Sequence, residues 1–180
     1  MKRIGRTVII WLLGCNLFCA LAAVERPARF VSAEEVVAWL YRDFGWECFL
    51  AHSFEEDILC DQPQQVLKRY FTPQLSDWIV RDRAYVEKTR ELGHVDFVLL
   101  FGSQDPDGVG NLRIERLPGT DKVKVVYDQN GERDVMELQF AAVETDKGWR
   151  IADIRYISGE SAGRPGPGFS LLEILSQPYK

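Results

Sequence analysis

Residues 122–157 read KVKVVYDQNGERDVMELQFAAVETDKGWRIADIRYI, and this stretch decides the fold class. Apolar and polar residues alternate with a period of two, and β-branched and aromatic residues dominate the apolar positions. Two breaks, Gln129-Asn130-Gly131 and Asp146-Lys147-Gly148, divide it into strands over 122–128, 134–144 and 149–157. The Asn-Gly pair suits a tight hairpin, because both residues tolerate positive φ. Successive side chains of a strand point to opposite faces, so Met136, Leu138, Phe140 and Ala142 share one face. The same count puts Trp149, Ile151, Asp153 and Arg155 together, which makes Asp153 a carboxylate in phase with apolar neighbours. Upstream, residues 112–117 end at Pro118-Gly119 and add a fourth strand. Short consecutive turns predict an antiparallel meander of four strands.

The sequence before the meander changes period. Ser32 with Glu35 three residues on forms a capping box, and Val31 with Val36 occupies the positions of a hydrophobic staple. Val36, Val37, Leu40, Tyr41 and Phe44 then fall on one helical face, and Gly45 ends it. A second helix starts near Asp61, with Pro63 in its first turn and Val66, Leu67, Tyr70 and Phe71 as its apolar side. Thr72-Pro73 reads as a fresh N-cap and N1 for a third helix running to about Leu92. Its stripe is Leu75, Trp78, Ile79, Tyr85 and Val86, interrupted by Asp82 four residues from both Trp78 and Val86. After Gly93, residues 95–101 form an apolar run of strand length. Helices followed by a run of strands predict a segregated α+β domain, its N-terminal helices packed in the concave face of a curved antiparallel four-stranded sheet. Residues 158–169 read as a flexible Gly/Pro loop and 170–176 as a C-terminal docking helix.

The N-terminus carries a different message. Lys2, Arg3 and Arg6 precede an apolar run over 8–23 that ends in Ala20-Leu21-Ala22, and polar sequence begins at Glu25. This is the three-part pattern of a cleaved secretory signal over 1–22, leaving 23–180 as one domain in the periplasm or outside the cell. Two alternatives keep the chain on a membrane: an uncleaved anchor, or lipidation of Cys15 in the lipobox-like Leu12-Leu13-Gly14-Cys15. Lipidation leaves the apolar residues 17–23 unexplained. Loss of the signal removes three cations and no anion, which takes the net charge from −5 to about −8. That balance excludes nucleic acid and anionic membrane surfaces as natural partners. Of four cysteines, Cys48 and Cys60 remain. In an oxidising compartment they most simply form one disulfide, contributing about 3 kcal/mol on the chain-entropy account; two buried thiols are the alternative. The spacing, with only His52 nearby, fits no metal site.

Several segments together carry a family likeness. They are Tyr70-Phe71-Thr72-Pro73 with Leu75; Val95-Asp96-Phe97 with Gln104-Asp105; Gly148-Trp149-Arg150-Ile151-Ala152-Asp153-Ile154; and Ser170-Leu171-Leu172 with Leu175. In these the chain resembles the exported bacterial proteins grouped as domain of unknown function 3828, within the nuclear transport factor 2-like (cystatin-like) superfamily. Val98-Leu99 stands where that pattern has an Asp-Pro pair. The resemblance implies a cone-shaped cavity between sheet and helices, and it implies no particular activity. Tyr41, Tyr70, Trp78, Tyr85, Gln104, Asp105 and Trp149 are the candidates to line such a cavity.

Two carboxylates in an apolar cavity can serve as general acid and base, and Asp82 and Asp153 qualify because each interrupts an apolar pattern. The competing account has each satisfying backbone N–H groups or a neighbouring arginine. His94 and Asp96, two apart at a strand start, would share a face and could begin a proton relay. Trp46 and Phe49, in the cysteine-bounded loop, could form a binding edge or fold back on the disulfide. The acidic loop 105–111 lacks oxygen ligands where a calcium loop needs them, at Val109 and Arg116. No nucleophile elbow, phosphate loop or zinc-protease helix is present. The sequence therefore predicts a non-catalytic exported binding module, monomeric or homodimeric and without a cofactor, for a small ligand or an envelope protein, with an immunity or inhibitor role as one possible use. The alternative is a small isomerase- or dehydratase-like enzyme built on the paired aspartates.

Overall fold

A computed structural model of the chain describes residues 26–45, 58–104, 106, 108–129, 134–157 and 168–179. Cys48, Trp46, Phe49, His52, Asp105, the signal-like segment and residues 158–167 lie outside them. The protein is α+β. Helices α1 (Ala33–Phe44), α2 (Ile58–Asp61), α3 (Gln64–Tyr70) and α4 (Pro73–Thr89) precede strands β1 (Gly110–Arg116), β2 (Lys122–Gln129), β3 (Asp134–Thr145), β4 (Gly148–Ile157) and β5 (Phe169–Ser170), and α5 (Leu171–Leu175) follows. The five strands form one open antiparallel sheet in chain order. The expected four-stranded sheet thus gains a fifth strand, because Phe169 and Ser170 pair with Tyr156 and Arg155 before the chain enters α5. Two residues bounded by a Gly/Pro-rich loop carry too little alternation to announce a strand.

The starts of α1 and α4 follow their caps, whereas the helix expected from near Asp61 is two, α2 ending at Asp61 and α3 starting at Gln64 after Pro63. Ser32 Oγ accepts from Glu35 N at 3.1 Å, and Glu35 reaches back to Val31 N. The expected staple does not form: Val31 is 76% exposed, and Phe30 is the residue buried beside Val36 in the core. Val36, Val37 and Leu40 are fully buried against the sheet, each contributing about 1.5–3 kcal/mol. Thr72 caps α4 through Leu75 N, with Pro73 at its first position. That helix stops at Thr89 rather than near Leu92, because Arg90 adopts a left-handed φ of 62° and its N–H closes onto Val86 O. Among the described residues no helix is long and apolar enough to cross a membrane.

The sheet's inner face is built from Val123, Val125, Tyr127, Met136, Leu138, Phe140, Ala142, Ile151, Ile154 and Tyr156, all buried. On β3 the period is two throughout, as the sequence predicts. On β4 it is not. Ala142 pairs with Ile151 but Ala141 pairs with Asp153, so β4 carries one extra residue, a β-bulge at Ala152. A bulge reverses the phase: Ile151 faces the core, but beyond it Ile154 and Tyr156 do. Asp153 therefore leaves the apolar face that uninterrupted alternation assigns to it and joins the side of Ala141.

The second departure is residues 95–101. They form no strand of the sheet. Val98 bridges only to Ser103, and Phe101 N and Gly102 N both close back onto Val98 O, so residues 98–103 make a tight turn. Leu99, Leu100 and Phe101 are buried at 0–2% exposure within the core. Gly102 permits this with φ 55°; a Cβ there would overlap the Tyr156 ring.

Candidate functional site

A buried turn must satisfy its backbone, and this one does so with tyrosines from three elements. Tyr156 of β4 donates its hydroxyl to Leu99 O at 2.9 Å, Tyr41 of α1 donates to Leu100 O at 2.6 Å, and Tyr127 of β2 donates to Phe101 O. Three successive carbonyls are thus each held by a phenol. The rings also pack: Tyr41 meets Phe101 and Phe140 edge-on, and Phe101 meets Tyr127 edge-on. The inner face of the sheet is consequently filled by the chain's own residues 98–103. Tyr41, expected to line a cavity, is a core residue at 4% exposure.

The other expected site residues sit around this core. Tyr70 is fully buried and donates its hydroxyl to Asp43, which also pairs with Arg26 at 2.5 Å. Burial first, then the bond to the Asp43 carboxylate, pushes the Tyr70 phenol up from its ordinary value. Trp149 is half-buried, and its backbone N–H donates to Phe30 O. Trp78 lies under the Arg81 guanidinium at 5.4 Å. Asp96 is exposed and accepts from exposed Gln104 at 3.2 Å; it is not the partner of His94.

That partner is Asp82. The residue sits on the buried stripe of α4 at 4% exposure. After the left-handed Arg90 the chain doubles back, and His94 N and Val95 N donate to Asp82 at 2.9 and 3.1 Å. His94 Nδ1 lies 3.0 Å from Asp82 Oδ1, and the Tyr179 hydroxyl donates to the same oxygen at 3.1 Å. Gly93 is required between them, since a Cβ there would stand 2.5 Å from Asp82 Oδ2. Tyr179 stacks on Tyr85 at 3.9 Å and 8°, touches the His94 ring at 4.4 Å, and lies under Arg81, which also donates to Leu175 O. Burial and the Asp82 charge raise the Tyr179 phenol; a hydrogen bond to Glu91 is the main cause raising Tyr85. Beside Asp82 runs a cleft of about 150 Å³ lined by Cys60, Ile79, Asp82, Arg83, Val86 and Val95.

Asp153 is used in a similar way elsewhere. It accepts from its neighbour Ile154 N at 2.9 Å, from Ser170 Oγ at 2.8 Å and from Leu172 N at 2.9 Å. Ser170 in turn caps α5 through Glu173 N. The two aspartates that interrupt the sequence patterns are thus joined by no hydrogen bond. Each holds a different part of the same C-terminal segment: Asp153 its beginning, Asp82 its end.

Sequence reasoning missed Tyr127, Tyr156 and Tyr179. A signal existed for Tyr127, since a tyrosine at an inward strand position needs a buried acceptor; Tyr156 turns inward only through the bulge at Ala152. Gly102 after Leu99-Leu100-Phe101 likewise marks a turn rather than a strand end. No family model, curated protein or solved structure matches the chain.

Proposed function

We propose that this chain is an exported, non-catalytic binding module of nuclear transport factor 2-like architecture, its helices resting in the concave face of the sheet, and that its partner is a protein of the cell envelope. The observation that carries this reading is the filling of the inner face by Leu99, Leu100 and Phe101 under three tyrosine hydroxyls. A superfamily member that works on a small molecule needs that space open. Here binding falls to outer surfaces, where a protein partner engages best. The aspartates support the same reading, because their acceptor capacity is spent on backbone N–H groups and on the C-terminal segment. The signal-like residues 1–22 and the acidic balance support export and argue against a nucleic-acid partner.

Native mass spectrometry of the full chain expressed with its own N-terminus and purified from periplasm tests this directly. The expected result is a mass shortened by about 22 residues, without a small-molecule adduct, together with a stoichiometric protein complex after mild cross-linking. A stoichiometric small-molecule adduct on the purified protein would overturn it. So would a diacylglyceryl mass on Cys15, as regards free export.

A second reading is favoured by the Asp82–His94 contact and its adjoining cleft. In it the chain is a small enzyme. Asp82 fixes the Nδ1–H tautomer of His94, and Nε2 takes a proton from a ligand bound beside the ring. His94→Gln separates the two readings, since it abolishes turnover in an enzyme and leaves partner capture unchanged in a binding module.

A further inference from the structure

The open sheet has two edges of different character. At one, β4 is covered over its first half by Phe71, which bridges to Ile151, and over its second half by β5. At the other, β1 is last in order, and among the described residues no strand pairs with its outer side. Leu117 N donates to Lys122 O at 2.9 Å, and β1 stays in that register through Arg116, Glu115, Ile114 and Arg113. From Arg113 to Arg116 the alternation of an antiparallel ladder turns the N–H and C=O of Arg113 and Glu115 toward β2 and those of Ile114 and Arg116 outward; between Gly110 and Arg113 the register shifts, and the regular edge ends there. Arg113 and Glu115 are exposed, on the sheet face opposite the core, and Glu115 also pairs with Lys124 at 3.7 Å. Leu112 and Ile114 are half-buried on the inner side.

We propose that this edge pairs with the same edge of a second copy of the chain, antiparallel about Ile114, to make one continuous sheet across a twofold axis. The outward groups on Ile114 and Arg116 fix which registers can form hydrogen bonds. Centring on Arg113 sets Arg113 against its own copy, and centring on Glu115 sets Glu115 against its own copy; both oppose like charges. Centring on Ile114 sets Ile114 against Ile114 in a hydrogen-bonded pair. It sets Arg113 against Glu115 twice, in the non-hydrogen-bonded positions where side chains approach most closely. Charges on an edge strand ordinarily discourage pairing. Here their order discourages the shifted registers and is complementary to one arrangement, the isologous contact that twofold symmetry requires.

The test is sedimentation equilibrium of the mature chain over a wide concentration range, with the charge variants measured beside it. The wild type is expected to show a monomer–dimer equilibrium that weakens as salt rises. Arg113→Glu replaces two attractive pairs by two repulsive ones and is expected to weaken dimerisation about tenfold or more. The double change Arg113→Glu with Glu115→Arg restores the opposed pairs and is expected to recover it. Ile114→Pro, which removes an outward N–H at an edge position, is expected to give a folded monomer. A wild type that remains monomeric at millimolar concentration overturns the proposal. So does a dimer indifferent to Arg113→Glu, or a double variant no better than the single one.

Discussion

Residues 98–103 and residues 168–179 both carry polar backbone against the body of the protein, and they are held in different ways. The first is a turn sunk in the core, its carbonyls bonded by Tyr41, Tyr127 and Tyr156 from three different elements. The second is joined by a two-residue strand, a five-residue helix whose Leu171 and Leu175 are fully buried, and two aspartates. Opening the first requires the sheet and α1 to part; opening the second requires Leu171 and Leu175 to leave the core and the bonds to both aspartates to break. The first segment is held at once from three elements of the core, and the second by two out-of-pattern carboxylates and two buried leucines of its own helix.

The comparison can be broken at its strongest point by Gly102→Val. A β-branched residue at φ 55° with its Cβ against Tyr156 is expected to cost about 3 kcal/mol or more, read as loss of the folded baseline or a large fall in urea midpoint. Tyr127→Phe leaves Phe101 O buried without this donor and is expected to cost about 1–3 kcal/mol in the same measurement, with an unchanged slope. Asp153→Ala should cost about 1–2 kcal/mol. Its signature in hydrogen exchange is faster exchange at 169–175 while 99–103 stays protected; equal acceleration of both segments would erase the distinction drawn here.

Alkaline titration sharpens the contrast further. The Tyr70 phenol is raised from 10.0 by burial and Asp43, so the folded protein holds that proton more tightly than the unfolded chain. Its contribution is complete below about pH 10 and is lost as pH climbs through the raised folded value. Tyr70→Phe should flatten that alkaline decline in a pH series of thermal melts. The smallest effect is expected of Tyr179→Phe, below about 1 kcal/mol. The ring stacking on Tyr85 survives, and the hydroxyl's bonds to Asp82 and Arg81 are lost. Protease sensitivity of the C-terminus is the suitable readout.

Much of this organisation is legible along the chain because it depends on neighbours in sequence. Ser32 and Thr72 cap helices through N–H groups three residues away, and the inward face of β3 follows from a fixed period of two. The candidate site is legible only in its residue types. Asp82 and Asp153 stand out by interrupting apolar patterns, but their partners, Tyr179 and Ser170, lie 97 and 17 residues away. Alternation also fails where a single inserted residue reverses its phase, as Ala152 does for Asp153.

By itself the sequence determined the α+β class, the starts of α1 and α4, the meander and the acidic balance, since each follows from local propensity, periodicity or composition. Only the tertiary structure decided that residues 98–103 fill the sheet's inner face and that β4 slips phase. It also decided that His94 belongs to Asp82 rather than to Asp96. Those outcomes depend on which distant groups satisfy buried backbone and carboxylate oxygens, and hydrogen bonds across large sequence separations leave no periodic mark on the chain.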